Sequence, residues 1–192
     1  MHAPPSVLVA AWWQFGLGWG ITGDRHGAGC KEFVLGEISL NDARGYFRDL
    51  VGPAFEEFWR EYQRDEPVDR DRFMVIYRRL LTCMFFMNHM TDKVAKMRGY
   101  KSPLDVIEAV KGADCKAGEA LEVCRLLVND VKHPAKRLQT YELRDRGREY
   151  DRPGQNKLPA WTYTDKIGGH HELGDTAQRV WAYWVSHRHE RK

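Results

Sequence analysis

The sequence predicts a mainly α-helical domain that ends in a small β-hairpin and a last helix. Three observations predict it. Apolar residues recur at helical spacing in successive runs from Leu40 to Val131. Stop and start signals separate these runs, among them Gly52-Pro53, the polar turn from Asp65 to Asp69, and Ser102-Pro103. Two short alternating stretches, Leu138 to Leu143 and Ala160 to Thr164, flank a polar loop containing Pro153-Gly154 and read as paired strands. At 192 residues a second independent core would leave each half near the lower limit for self-sufficient burial, so one helical domain is expected.

The elements follow in order. Residues 1–37 stand apart as an N-terminal extension: an apolar stretch from Val7 to Phe15 precedes a glycine-rich run from Gly16 to Gly29. Within it Gly18-Trp-Gly-Ile-Thr-Gly23 matches the dinucleotide fingerprint, but the next residues, Asp24 to Gly29, are no helix on which a pyrophosphate would sit. The helical domain, 38–192, opens at Ser39-Leu-Asn-Asp42, which can cap a helix carrying Leu40, Ala43, Phe47 and Leu50. Gly52-Pro53 is expected to break or kink it, with Phe55, Phe58, Trp59 and Tyr62 on a second segment. A long central helix then runs to about Arg98, its stripe being Phe73, Tyr77, Leu80, Met84, Met87, Thr91 and Val94. Ser102 and Pro103 start a short helix that Gly112 stops. The next helix, Asp114 to His133, buries Ala117, Ala120, Leu121, Cys124, Leu127, Val128 and Val131, and Pro134 ends it. Asp175-Thr-Ala-Gln178 reads as the capping box of the last helix, with Val180, Trp181 and Trp184 inward.

Near balance between 30 basic and 27 acidic residues removes any polycation character from the chain as a whole. From Lys132 onward the balance shifts, with 13 Lys or Arg against 8 Asp or Glu. Cys30, Cys83, Cys115 and Cys124 form no C-x-x-C pair and no metal-ligand spacing, so they are expected as thiols in a reducing, cytoplasmic setting. Val7 to Phe15 lacks a basic flank and is too short to span a bilayer, so neither signal peptide nor membrane anchor is read there.

One helix carries the candidate chemistry. At 100° per residue Arg125, Asn129 and His133 step along one row on the flank away from the apolar stripe, and so can meet one ligand. His133 falls in the last turn, where the helix macrodipole favours imidazolium and acid–base work near neutral pH is reasonable. Lys132, Lys136 and Arg137 flank it and can meet a phosphate backbone. A second constellation, Asn88-His89 with Asp92 one turn on, can hold a metal only with a further ligand such as His170 or His171, and no second carboxylate pair accompanies it. No metal or other cofactor is assigned.

The phrase Asn129-Asp-Val-Lys-His133, late in a helix and followed by a hairpin and a Trp-rich helix, resembles the R-N-x-x-x-H signature of HEPN-like domains. The resemblance spans roughly residues 39–190 as a pattern of elements. It implies an antiparallel helical bundle, a homodimer, and a metal-independent ribonuclease site to which Asn129 and His133 would contribute the motif's polar residue and histidine. The motif's arginine is absent, since Val128 stands in its place; Arg125, one turn earlier, lies on the same side. Two functions stay open on this reading: an RNA-associated endoribonuclease of defence or toxin type, and a non-catalytic module that binds a protein partner. A metal-dependent bundle enzyme built on His89 and Asp92 is the third.

Overall fold

Asp42 begins the described chain as a helix cap, its carboxylate accepting from the backbone N–H of Arg44 and Gly45. The computed structural model describes residues 42–132, 138–144, 158–165 and 167–187; the extension 1–37 and the loop with Pro153-Gly154 lie outside the described residues. Helix α1 (Ala43–Tyr46) passes into a π-helical turn, Phe47–Val51, and then into α2 (Gly52–Gln63). Gly52-Pro53 does not break the chain out of helix; the interruption is the π turn just before it, and Phe55, Phe58, Trp59 and Tyr62 lie on a second segment as expected. Proline has no N–H to give and its ring crowds the carbonyl one turn back, and the wider π turn just before it supplies the room.

Helix α3 (Arg70–Arg98) is the centre of the bundle, capped by Asp69 and closed by Gly99 in the left-handed conformation at φ 72°. Ile76, Leu80, Cys83, Met84 and Met87 on it are wholly buried, whereas Phe73 and Tyr77, expected on the same stripe, are half-buried and pack on Trp161. The α2–α3 connection is clamped by Arg72, whose guanidinium donates to the carbonyls of Glu61 (2.9 Å), Arg64 (2.7 Å), Pro67 (3.2 Å) and Glu66. These are carbonyls that the end of α2 and the following loop leave without helical partners, so a buried cation completes them.

Helix α4 (Pro103–Ala113) begins in the full capping box of Ser102 and Asp105. A single residue, Asp114, separates it from α5 (Cys115–Lys132), and the two helices pack closely: an ideal Cβ on Gly118 would meet the backbone of Lys111. The Lys111 ammonium also reaches the Glu122 carboxylate.

Strands β1 (Leu138–Arg144) and β2 (Leu158–Thr164) pair antiparallel as expected, with Tyr141 opposite Trp161 and a register shift between Leu138 and Thr140. The hairpin gains a third strand, β3 (His170–Glu172), antiparallel to β2. Helix α6 (Leu173–His187) starts earlier than the Asp175 capping box predicts, because Glu172 does the capping: its two carboxylate oxygens accept from the N–H of Gly174 (2.9 Å) and Asp175 (2.6 Å). Helix α6 returns across the bundle and puts Trp181 between Phe47 and Phe55, with ring centroids at 5.2 and 4.4 Å. Many of the rings in this aromatic-rich chain thus stack on one another inside the bundle; Trp59 continues the same stack from Phe55 at 5.8 Å. No described helix is long and apolar enough to cross a membrane.

Candidate functional site on α5

Burial sorts the faces of α5. Ala117, Ala120, Leu121, Cys124, Leu127 and Val128 are buried, while Asn129 and Lys132 are exposed and Arg125 lies between. Arg125 and Asn129 therefore stand on the flank away from the apolar stripe. His133, Lys136 and Arg137 lie outside the described residues. Val128, at the position of the motif's arginine, is 1% exposed. A guanidinium there would have to displace core atoms, which leaves Arg125 as the cation of the row among the described residues.

Two neighbours set this turn of the helix in place. Tyr163 of β2, itself fully buried, donates its hydroxyl to Asp130 at 3.0 Å, so the residue after Asn129 is tied to the sheet. On the other side, Gly118 and Glu122, the residues that α4 touches, share a helical arc of about 60° with Arg125 and Asn129 at 100° per residue. Helix α4 covers the first half of that flank, and beyond it Asn129 is exposed. The Nε of Arg125 is buried without a hydrogen-bond partner among the described residues. Desolvating a guanidinium N–H without a partner is unfavourable by about 1–3 kcal/mol, which makes it a donor in want of an acceptor.

Two shallow depressions lie elsewhere. Lys116 and Arg179 border two adjoining depressions of about 270 and 290 Å³ between the first turns of α5 and helix α6, with Glu119, His170, His171 and Asp175 along the first. Lys116 stands on the opposite side of α5 from Arg125, nine residues and half a turn away. Both charge signs line this surface, and Glu172 is already committed to capping α6. Sequence periodicity offers no pointer to it, because no alternation or helical spacing marks the β3–α6 corner that forms its wall.

The second constellation is not assembled as a site. His89 Nδ1 pairs with the Phe85 carbonyl at 2.9 Å, one turn back on its own helix. His170 Nδ1 is 3.1 Å from the Thr164 hydroxyl, and His171 Nε2 is 3.0 Å from the Asp165 carboxylate. Among the described residues no three His, Cys, Asp or Glu side chains are grouped to hold a metal ion. Nor is any described thiol activated. Burial pushes Cys83 and Cys124 well up, and Cys115, which is exposed, is raised by the hydrogen bond to Glu119.

No protein family, no curated protein and no solved structure matches the chain.

Proposed function

We propose that the chain is a HEPN-like, RNA-associated protein whose Arg125, Asn129 and His133 act together as a metal-independent endoribonuclease site in a homodimer. The observation that supports this reading is the half-buried Arg125, whose Nε is buried without a hydrogen-bond partner among the described residues one turn from exposed Asn129. In such a site a ribose 2′-OH attacks the adjacent phosphodiester as His133 takes its proton, the P–O5′ bond breaks to leave a 2′,3′-cyclic phosphate, and the departing 5′-oxygen is protonated by water, while Asn129 orients the phosphate and Arg125 and Lys132 offset the charge of the phosphorane. Each acts only if the phosphate sits within hydrogen-bond reach of the row. Lys136 and Arg137 would extend the contact along the backbone.

The test is cleavage of single-stranded RNA in EDTA by the wild type, by His133→Ala and by Arg125→Ala. Loss of cleavage in His133→Ala, with an unchanged circular dichroism spectrum and unchanged mass in light scattering, is the expected result. A strict monomer at micromolar concentration would overturn the composite site.

The second reading, a non-catalytic module for a protein partner, is favoured by one specific observation: buried Val128 removes the cation that would stand next to Asn129. A wild type that cuts no RNA in any buffer would put this reading first. A metal-dependent enzyme built on His89 and Asp92 is the third, checked by elemental analysis of the purified protein.

A further inference from the structure

The junction of α3 and α4 leaves large apolar side chains in water. Met97 is 57% exposed, Tyr100 36% and Leu104 49%. Lys96, Arg98 and Lys101 alternate with them and are exposed too. Neither Lys96 nor Lys101 makes an ion pair among the described residues, and the nearest following carboxylate, Asp105, is committed to the N–H of Ser102 at 2.9 Å. Cations in the last turn of a helix offset its macrodipole, and that accounts for Lys96 and Arg98. It does not account for Lys101, which lies beyond the helix, nor for a tyrosine and a leucine left in solvent.

The patch adjoins the candidate row. Lys111 touches both Gly118 and Glu122, so α4 runs back along α5 from that point. Leu104, seven residues before Lys111, then stands near the level of Arg125, seven residues after Gly118, at the same rise per residue.

We infer that the α3–α4 junction is the strand-binding surface for a single-stranded RNA whose scissile phosphate lies at Arg125 and Asn129, an inference resting on the RNA-associated reading proposed for α5. Lys96 and Lys101 meet phosphates, and the Tyr100 ring stacks on an unpaired base. Met97 and Leu104 give the base and sugar an apolar floor. A duplex fits less well, since its bases offer no free face to the tyrosine.

The experiment is fluorescence anisotropy of a fluorescein-labelled single-stranded oligoribonucleotide with the full chain across a salt series, with cleavage of the same RNA followed in parallel. Replacing Lys96 and Lys101 together by Ala should flatten the slope of log affinity against log salt by about 1.4, at about 0.7 for each phosphate no longer neutralised. Tyr100→Ala should weaken binding about tenfold, and Tyr100→Phe should restore it, because stacking needs the ring and not the hydroxyl. All three positions are exposed, so an unchanged thermal midpoint is expected and serves as the folding control. Wild-type affinity and slope in these variants would overturn the surface, whether or not the RNA is cut. Binding that depends on them without any cleavage would uphold the surface and overturn the ribonuclease. If the variants leave RNA binding alone and instead turn a dimer into a monomer, the junction is a contact between protein chains and not a surface for RNA.

Discussion

Tyr163 of the sheet donates its hydroxyl to Asp130 of α5 at 3.0 Å, and the residue that Tyr163 holds is the neighbour of Asn129. The tyrosine is fully buried and Asp130 half-buried, and the bond ties the last turns of α5 to the sheet. Removing the hydroxyl should therefore act on the site as well as on stability. Tyr163→Phe is expected to lower stability by about 2 kcal/mol, the usual range for a bond to a charged acceptor. Chemical denaturation measures the first effect. A parallel fall in RNA binding or cleavage with the fold intact measures the second, and an unchanged activity would show that the last turns of α5 do not depend on the sheet.

Arg72 should be among the most costly polar residues to replace. It is 9% exposed, it pairs with Glu61 at 3.2 Å, and it donates to the carbonyls that end α2. Arg72→Ala leaves several carbonyls short of a donor, while Glu61 keeps Arg64 at 3.5 Å and Arg79 at 3.4 Å, and should lose about 3 kcal/mol. Arg72→Lys should recover only part of this, since an ammonium cannot reproduce the fork of the guanidinium. The exposed Arg48, paired with Asp49 at 2.5 Å, is the control: Arg48→Ala should leave the denaturation midpoint in place.

Two glycines near the α4–α5 turn should respond in opposite directions. A Cβ on Gly118 would come within 2.6 Å of Lys111 Cα and 2.7 Å of its N, which are backbone atoms that cannot swing aside. Gly118→Ala should force α4 off α5 and lose about 1–3 kcal/mol. Nothing lies within 4 Å of a Cβ on Gly112, so Gly112→Ala should be neutral or gain up to about 1 kcal/mol from helix propensity. Thermal midpoints of the two variants decide it. Equal midpoints would mean that the helices can separate without loss.

Acid should loosen the corner between β2 and β3. Asp165 accepts from the N–H of Ile167 (2.9 Å) and Gly169 (2.7 Å) and lies 3.0 Å from His171 Nε2. His171 first, and then the two backbone donors, hold its carboxyl below the usual aspartate range. With the folded value depressed, the contribution is complete above the unfolded value of about 3.9 and is lost as pH falls through the lower, folded one. Asp165→Asn should therefore be less stable than the wild type at neutral pH, and the gap should close only in the acid range below about 4. A pH series of thermal midpoints shows this; a gap already closed at about pH 6 would show that the ionised carboxyl is not what holds the corner.

Most helix ends are readable in the sequence because their signals are local. Asp69, Ser102 with Pro103, and Gly99 are cap residues whose chemistry acts within one turn, and α3 and α4 begin and end near the positions they mark. The start of α6 is hidden because Asp175-Thr-Ala-Gln178 has the form of a capping box, while the carboxylate that performs the capping, Glu172, sits at the end of a strand. That strand, β3, has three residues and no apolar alternation to betray it. In the candidate site the outward placement of Asn129 follows from helical period alone. The approach of α4 to the same flank does not, since it depends on Gly118 lying against Lys111, a contact between helices that no spacing within α5 reveals.

The π turn at Phe47–Val51 resets the angular phase of the first helix. In an uninterrupted α-helix Phe47 and Phe55, eight residues apart, would differ by about 80° and could not both stack on one indole. A π turn takes up one surplus residue, so the pair behaves as if seven apart and differs by only about 20°. That is why Trp181 meets both rings. The helix therefore carries a spare residue: removing one position inside 47–51 would preserve the phase of everything on either side, whereas removing one from the middle of α2 would rotate Trp59 and Tyr62 away from their partners. The turn is the one place in this segment where the length of the chain can change without turning a face.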